Sequence, residues 1–515
     1  MTEELTKEQP LDIHGKPFNR GIVLALILIA TFGGMLMQTS LGTAMPTLMN
    51  DFNISLATGQ QATTWFLLAN GIMIPVSAYL TTKFPTRWLY LISYAILLAG
   101  MFVAYSAPTS TWSVFLGARI MQAIAVGISM PLMQVVMVNM FSPKQMGAVM
   151  GAMGLVIGLA PAIGPTYAGW ILDKDHVILG FTLEQSWRTI FLIPMVVIAI
   201  CWVLMLIFMR DIVPNRDMKL DFMSLIESVL GFGLFLWGFT NVASDGWGDL
   251  QTVILPIVAG VAIIALFVRR QLHMEIPFLN VSVFKNKQFA LTTVVMALSM
   301  MAMMGVEMML PLYMQQVHGL SPLSSGLTLL PGALMMGIVS PLAGAAYDKV
   351  GAKRLARVGF TILAIGTIPF MFLTTTTPEH FITVLYGLRM FGIAMVMMPL
   401  TASAMNALPR EQSAHGTAAN STARQVASAV VVALLSSVTQ NIITNSQPAA
   451  SLKESNPLAF AGDMLDAMLK GYHASFAIGL AFAILGLVLS FFLQGHIVKN
   501  KKEVGDKLYK KSSKN

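Results

Sequence analysis

Apolar runs of about twenty residues recur along this chain from residue 21 to residue 494, and no other feature constrains its fold as tightly. They fall at about 21–44, 58–80, 88–107, 112–138, 145–172, 188–208, 222–243, 251–268, 289–314, 324–346, 355–374, 380–406, 416–441 and 472–494. Each is long enough to cross roughly 30 Å of hydrocarbon as a helix. Inside that layer every backbone N–H and C=O must be paired within the protein, which leaves helices or a closed barrel. The runs lack the alternating pattern of membrane strands. The sequence therefore predicts an all-α polytopic membrane protein with fourteen transmembrane helices. Its composition fits, since 56% of the 515 residues are hydrophobic and only 11% charged.

The charges orient the chain. With the N-terminus inside, about 26 Lys and Arg fall in cytoplasmic loops and tails, against four outside, Lys174, Arg188, Lys453 and Lys470. Arg119 and Arg389 are counted within spans. That asymmetry follows the positive-inside rule, and both termini are expected in the cytoplasm of a cell membrane. The first twenty residues are mixed in charge and lack the short basic and apolar regions of a cleaved signal peptide. The net charge of +8 comes largely from cytoplasmic loops and the basic tail. It reads as orientation plus weak attraction to anionic lipid, not as a nucleic-acid surface. The single cysteine, Cys201, excludes an intrachain disulfide and a cysteine metal cluster.

An internal repeat divides the chain. "AYLTTKFPTR" at 78–87 matches "GAAYDKVGAKR" at 344–354, Arg119 matches Arg389, "MPLMQ" matches "MPLTA", and "SPKQ" matches "LPREQ". All offsets lie between 266 and 270 residues, and eight spans separate equivalent points. The unit is thus a six-helix half, with two extra helices between the halves. The expected organisation is a cytosolic segment at 1–20, a six-helix bundle at 21–210, two linking helices with cytosolic loops at 211–288, a second bundle at 289–494 and a basic tail at 495–515.

These residues resemble the major facilitator superfamily, and within it the fourteen-helix drug:proton antiporters of the EmrB/QacA type, including lincomycin-resistance exporters. The likeness covers essentially the whole chain. The family's cytosolic loop reads G-x-x-x-D-[RK]-x-G-[RK]-[RK]. The second copy here supplies Gly344, Asp348, Lys349, Gly351, Lys353 and Arg354. The first is degraded, with Ala78, Thr82 and Pro85 at key positions, while Arg87 remains. The resemblance implies a latch between cytosolic helix ends, stronger in the second half. The fourth-span motif supplies Arg119 and Gln122, with Ala123 in the glycine position, and implies a role for Arg119 near a proton pathway. The plainer alternative for Arg119 and Arg389 is a structural arginine bonding carbonyls across a helix contact.

The stretch "GLVIGLAPAIGPTYAGWIL" at 154–172 matches the antiporter signature G-x-x-x-G-P-x-x-G-G through Gly158, Pro161, Gly164, Pro165 and Gly169. Its counterpart in the second half, "ANSTARQVASAVVVALL", lacks it. Glycine permits close helix approach, and proline bends a helix whose freed carbonyls the surrounding protein can satisfy. The resemblance implies export.

Proton coupling needs a group that gains and loses a proton in a low-dielectric setting. Glu307, within "VVMALSMMAMMGVEMMLPLYM", is the one carboxyl deep in a span, and an intramembrane carboxylate is a functional candidate by default. Glu227 lies near the cytosolic end of the first extra helix. Many family members carry an aspartate in the first helix; here Met37 occupies that position. Gln38, Trp65, Asn70, Gln122, Gln134, Asn139 and Arg389 are candidate substrate-cavity residues. For the polar ones an interhelical hydrogen bond is an equally good account.

No Walker loop and no H-E-x-x-H motif is present, so the sequence points to a transporter and not an enzyme. The expected function is proton-coupled efflux of lipophilic or amphiphilic compounds by alternating access. The proton gradient would drive it without a cofactor, and its partners would be small molecules, protons and membrane lipids. It would work as a monomer in a bacterial-type plasma membrane. A second reading stays open, a dedicated metabolite exporter or symporter in which Arg119 and Arg389 bind an anionic solute. The residues do not name the cargo.

Overall fold

A computed structural model describes residues 11–141, 146–178, 180–214, 221–274, 277, 279–409 and 412–494 of the protein. Residues 1–10 and the basic tail at 495–515 lie outside that set. The helices run in the order α1 (Arg20–Thr39), α2 (Leu41–Phe52), α3 (Leu56–Lys83), α4 (Thr86–Ser106), α5 (Trp112–Met140) and α6 (Met146–Asp173). A hairpin of two short antiparallel strands follows, β1 (His176–Ile178) and β2 (Phe181–Leu183), with His176 opposite Leu183. Then come α7 (Thr189–Phe208), α8 (Phe222–Asp245), α9 (Leu255–His273), α10 (Lys287–Glu307), α11 (Leu310–Leu312), α12 (Pro322–Val350), α13 (Ala352–Thr367) and α14 (Glu379–Asn406). The last are α15 (Ser413–Asn445), α16 (Ala450–Ser455) and α17 (Pro457–Ser490).

Among the described residues, 12 helices are long and apolar enough to cross a membrane, some of them extended by a short continuation. The two 28-residue helices α3 and α6 stand outside that set. The physical reason is plain for α3. It carries Gln60, Thr63, Thr64, Asn70, Ser77 and Thr81, all buried, so its polarity faces protein and not lipid. The expected count of fourteen rests on these two helices. Large apolar side chains such as Phe102, Ile200, Leu342 and Val384 are exposed, as a surface solvated by lipid requires.

Two helix breaks are followed by a proline. The first crossing is interrupted at Ser40, between α1 and α2, with Pro46 six residues further on, inside α2. The run that begins with α10 is interrupted at residues 308–309, and Pro311 follows. Pro46 and Pro311 are 265 residues apart, so the repeat preserves the break. A proline removes the hydrogen bond to the carbonyl four residues earlier and crowds it. For Pro311 that carbonyl belongs to Glu307.

The two extra helices pair tightly and then lean on both halves. A Cβ on Gly260 would stand 2.4 Å from the Phe235 nitrogen, so α8 and α9 touch backbone to backbone. Helix α8 packs on α15 and α3, while α9 exposes Leu255, Val258 and Leu266. Where α8 begins and α9 ends, Asp221 accepts hydrogen bonds from Arg270 Nε at 3.0 Å and Nη2 at 2.9 Å, and also from Ser224.

The segment "NPLAFAGDMLDAMLKGYH" forms the first turns of α17, whose 34 residues span about 51 Å and exceed the hydrocarbon thickness. His318 and His473 meet the backbone carbonyls of Thr377 and Leu373.

Candidate functional site

Glu307 is the last residue of α10 and only 8% exposed. Methionines and glycine precede it in "AMMGVE", so the sequence surrounds it with apolar side chains and ends the helix there. Its Oε2 is enclosed and makes no hydrogen bond among the described residues. The groups in electrostatic reach of it are Arg389 and Tyr386, both on α14. The Met308 Cε, one residue on, sits 3.9 Å from where Gly42 of α2 would carry a Cβ. The break beside Glu307 therefore abuts the matching break of the first half.

Arg119 and Arg389 are both fully buried and occupy equivalent positions. Arg119 Nη1 donates to the Met37 carbonyl of α1 at 3.2 Å and to Gln122 Oε1 at 2.6 Å. Its guanidinium also lies over the Phe66 ring, 4.4 Å from the centroid. Arg389 Nη2 donates to the Ala302 carbonyl of α10 at 2.8 Å, and its Nε donates to Thr367 Oγ1 at 2.9 Å. Each arginine thus ties the fourth crossing of its half to the first crossing of the same half. Burial of a guanidinium is tolerable only with such partners. In the first half the tie reaches the backbone of Met37, where a carboxylate is absent. Gln122 Nε2 completes the arrangement by donating to the Gly100 carbonyl at 3.1 Å. Gly100 and Gly366, at matching places on α4 and α13, leave room for it. A Cβ would stand 3.0 Å from the Ala118 carbonyl in one case and 3.1 Å from Arg389 Cγ in the other.

The glycine-rich helix α6 is the tightest meeting point of the two halves. A Cβ on Gly169 would stand 2.3 Å from the Pro322 carbonyl oxygen of α12, and one on Gly326 would stand 2.6 Å from the Pro165 carbonyl oxygen. Thr166 Oγ1 donates to the Gly326 carbonyl at 3.0 Å. Gly164 faces α1, where a Cβ would meet Thr39 Oγ1, and that hydroxyl donates to the Ala160 carbonyl at 3.1 Å. A second bond between halves runs from Gln315 Nε2 to the Thr43 carbonyl at 2.9 Å. Gly158 and Pro161 lie on α6, but their side-chain surroundings fall outside the described residues, as does the Asp348 side chain.

The other candidates separate by environment. Asn70 is buried, while Gln38, Trp65 and Gln134 are half-buried. None of these four makes a hydrogen bond among the described residues. Asn139 is exposed and donates to the Val135 carbonyl of its own helix at 2.8 Å. The two loops of the latch motif differ in the bonds they show among the described residues. The degraded first copy carries the bonds: Arg87 Nη2 donates to the Leu206 carbonyl at 2.7 Å, and the Arg87 backbone N–H donates to Asp211 Oδ1 at 3.0 Å. Asp211 also faces His14 Nε2 at 3.6 Å. Lys349, Lys353 and Arg354 make no hydrogen bond or ion pair among the described residues. A Cβ on Gly344 would stand 3.9 Å from Met398 Cβ, and Gly351, at φ 82, makes the turn between α12 and α13.

The Major Facilitator Superfamily model matches residues 27–432. The chain belongs to that superfamily. An uncharacterized MFS-type transporter of Bacillus subtilis (strain 168), YcnB, is 40% identical over 94% of this chain and 97% of its own length. The lincomycin resistance protein LmrB of the same organism is 36% identical over 92% of this chain and 95% of its own. Among solved structures, the inward-facing, unoccupied form of a bacterial homolog of the human lysosomal transporter Spinster aligns with a TM-score of 0.64. It covers 94% of this chain and 100% of that one at 13% identity, a likeness of fold alone.

One residue of this superfamily member escapes the sequence reading. Arg424 lies in α15, eleven residues beyond its start at Ser413, or about 16 Å along the axis. It is a third arginine inside a span. It falls inside the run at 416–441, yet the polar stretch "SAHGTAANSTARQ" around it led the charge count to place it with the loops. The depth of Gln425 was legible only from its contact with Gly71 in mid-α3, where a Cβ would stand 3.0 Å from Gln425 Cβ.

Proposed function

We propose that the protein is a proton-coupled exporter of lipophilic or amphiphilic small molecules in a cell membrane. It works by alternating access, with α3 and α6 counted as crossings to make fourteen and both termini cytoplasmic. The proton gradient is its energy source. The observation that carries this reading is Glu307, an enclosed carboxyl with a bond-free oxygen, seated at a helix break between the halves. A group so placed changes its interactions when the halves move, which is what coupling requires. Protonation of Glu307 from outside accompanies release of cargo, and deprotonation toward the cytoplasm resets the site. The tight α6–α12 contact supports a pivot, because glycines let two backbones roll on each other without side chains between them. The relative named for lincomycin resistance supports export of drug-like compounds.

The test is efflux from proteoliposomes under an imposed pH gradient. Glu307→Gln should fold and insert as the parent does, yet lose gradient-driven efflux at least tenfold. Undiminished proton-dependent efflux by that variant would overturn the assignment. Proton flux opposite to the cargo marks antiport, and flux in the same direction would mark a symporter.

A further inference from the structure

Three guanidinium groups stand inside the bundle, and two of them are accounted for. Arg119 and Arg389 give their N–H groups to carbonyls and neighbouring side chains. Arg424 does not. It makes no hydrogen bond, ion pair or ring contact among the described residues, and its Nε is enclosed without a partner. No charged side chain lies in electrostatic reach of it. Glu307, the carboxyl within the neighbouring helix α10, is instead in reach of Arg389.

The position of Arg424 on α15 shows what it faces. The apolar cavity of about 470 Å³ behind this helix, walled in part by Phe235 and Phe267, takes Thr422, Ala423, Val426 and Ala427 but not Arg424. Arg424 lies on the same face as Ser428 and Leu435, four and eleven residues on. Leu435 reaches Gly305 of α10, 3.2 Å from its Cβ position, and the adjacent Gln425 rests on Gly71 of α3. Arg424 is thus on the side of α15 turned toward α10 and the first half, about three turns before the level of Gly305. The Ser428 hydroxyl, one turn outward and fully buried, is also without a partner. At the spacing of the repeat, Arg424 stands where the first half has Gly158.

Arg424 is half-buried with its Nε enclosed; a cation inside a membrane-spanning helix without a counter-charge is disfavoured, and the deficit is relieved when an anion arrives. We infer that Arg424, with Ser428 beside it, forms an anion-binding subsite that receives the negatively charged end of an amphiphilic cargo, a carboxylate or an acid of similar size. The fork of guanidinium donors suits a planar carboxylate. The inference rests on the exporter reading and adds the charge of the cargo to it. It also moves anion recognition from Arg119 and Arg389, each tied to its neighbours by two hydrogen bonds, to a residue that makes none among the described residues.

The experiment compares three probes of one skeleton, 2-naphthoate, 2-naphthamide and 2-naphthylmethylammonium. Binding to the full-length protein in nanodiscs is measured by equilibrium dialysis against empty nanodiscs. The parent should bind the carboxylate at least tenfold more tightly than the amide and the ammonium. Arg424→Gln should remove that preference and leave the amide unchanged, whereas Arg424→Lys should keep the carboxylate within about threefold. Equal binding of the three probes by the parent would overturn the inference, as would unchanged carboxylate binding in Arg424→Gln. If that variant does not fold, the probe series on the parent and on Arg424→Lys still decides. Loss of all gradient-driven efflux with carboxylate preference intact would sink the exporter reading alone. Efflux that proceeds normally with no carboxylate preference would sink the subsite alone.

Discussion

A Cβ on Gly169 would stand 2.3 Å from the carbonyl oxygen of Pro322, so the two halves of the protein meet there backbone to backbone. No side chain fits without separating α6 from α12. Overpacking of this kind costs about 1–3 kcal/mol. Gly169→Val should therefore lower the melting temperature in detergent and slow efflux. Gly387→Val, at a glycine with open space around it, should do neither. Matching melting curves for both would contradict the contact.

Pro311 stands four residues after Glu307, where its ring prevents the helix from continuing past that carbonyl. Pro311→Ala restores an N–H able to bond the Glu307 carbonyl. We expect a variant that melts higher and turns over more slowly, because the break is smoothed. A proline in a helix interior costs up to about 3 kcal/mol relative to alanine. Hydrogen exchange across 304–312, compared with the parent, reports whether the break closes.

Arg389 holds the Ala302 carbonyl and the Thr367 hydroxyl. Arg389→Met removes both bonds and leaves buried acceptors unpaired, a loss of about 1.5–3 kcal/mol per charged hydrogen bond. Arg119→Met should lose a comparable amount through the Met37 carbonyl and Gln122. Each variant should be purified at lower yield and melt earlier than Glu307→Gln. Thermal melts of the three side by side check the order.

Asp221 caps the pair of extra helices where α8 begins and α9 ends. Partial burial pushes its carboxyl up, but hydrogen bonds from Arg270 and Ser224 outweigh that and hold it below the usual carboxylate range. A carboxyl lowered on folding stabilises the folded state above its unfolded pKa, and the contribution fades as pH falls through the folded one. The start of α8 and the end of α9 should thus stay protected at neutral pH and open on acidification below the carboxylate range. Asp221→Asn should open them at neutral pH as well, while the distant α4 stays unchanged. Site-resolved hydrogen exchange measures both.

The resemblance of the loops and of the glycine-rich stretch made the superfamily legible, and Glu307 stood out as a carboxyl amid methionines. Three local readings needed the structure. Arg87 finds Asp211, three residues past the end of α7 and over a hundred residues away in the chain. The His318 and His473 side chains find carbonyls on the turn at 373–377, which hydropathy cannot foresee. Arg424 sat beyond a polar stretch whose depth in the membrane only packing reveals.

Hydrophobic run length determined by itself that this chain crosses a membrane many times. It is a one-dimensional property, since the bilayer reads each segment nearly independently. Tertiary structure alone decided which donors are satisfied. Arg119, Arg389 and Arg424 are the same residue type at similar depths, yet two find carbonyls on a neighbouring helix and the third finds none. That distinction depends on which helix faces lie within about 3 Å of one another.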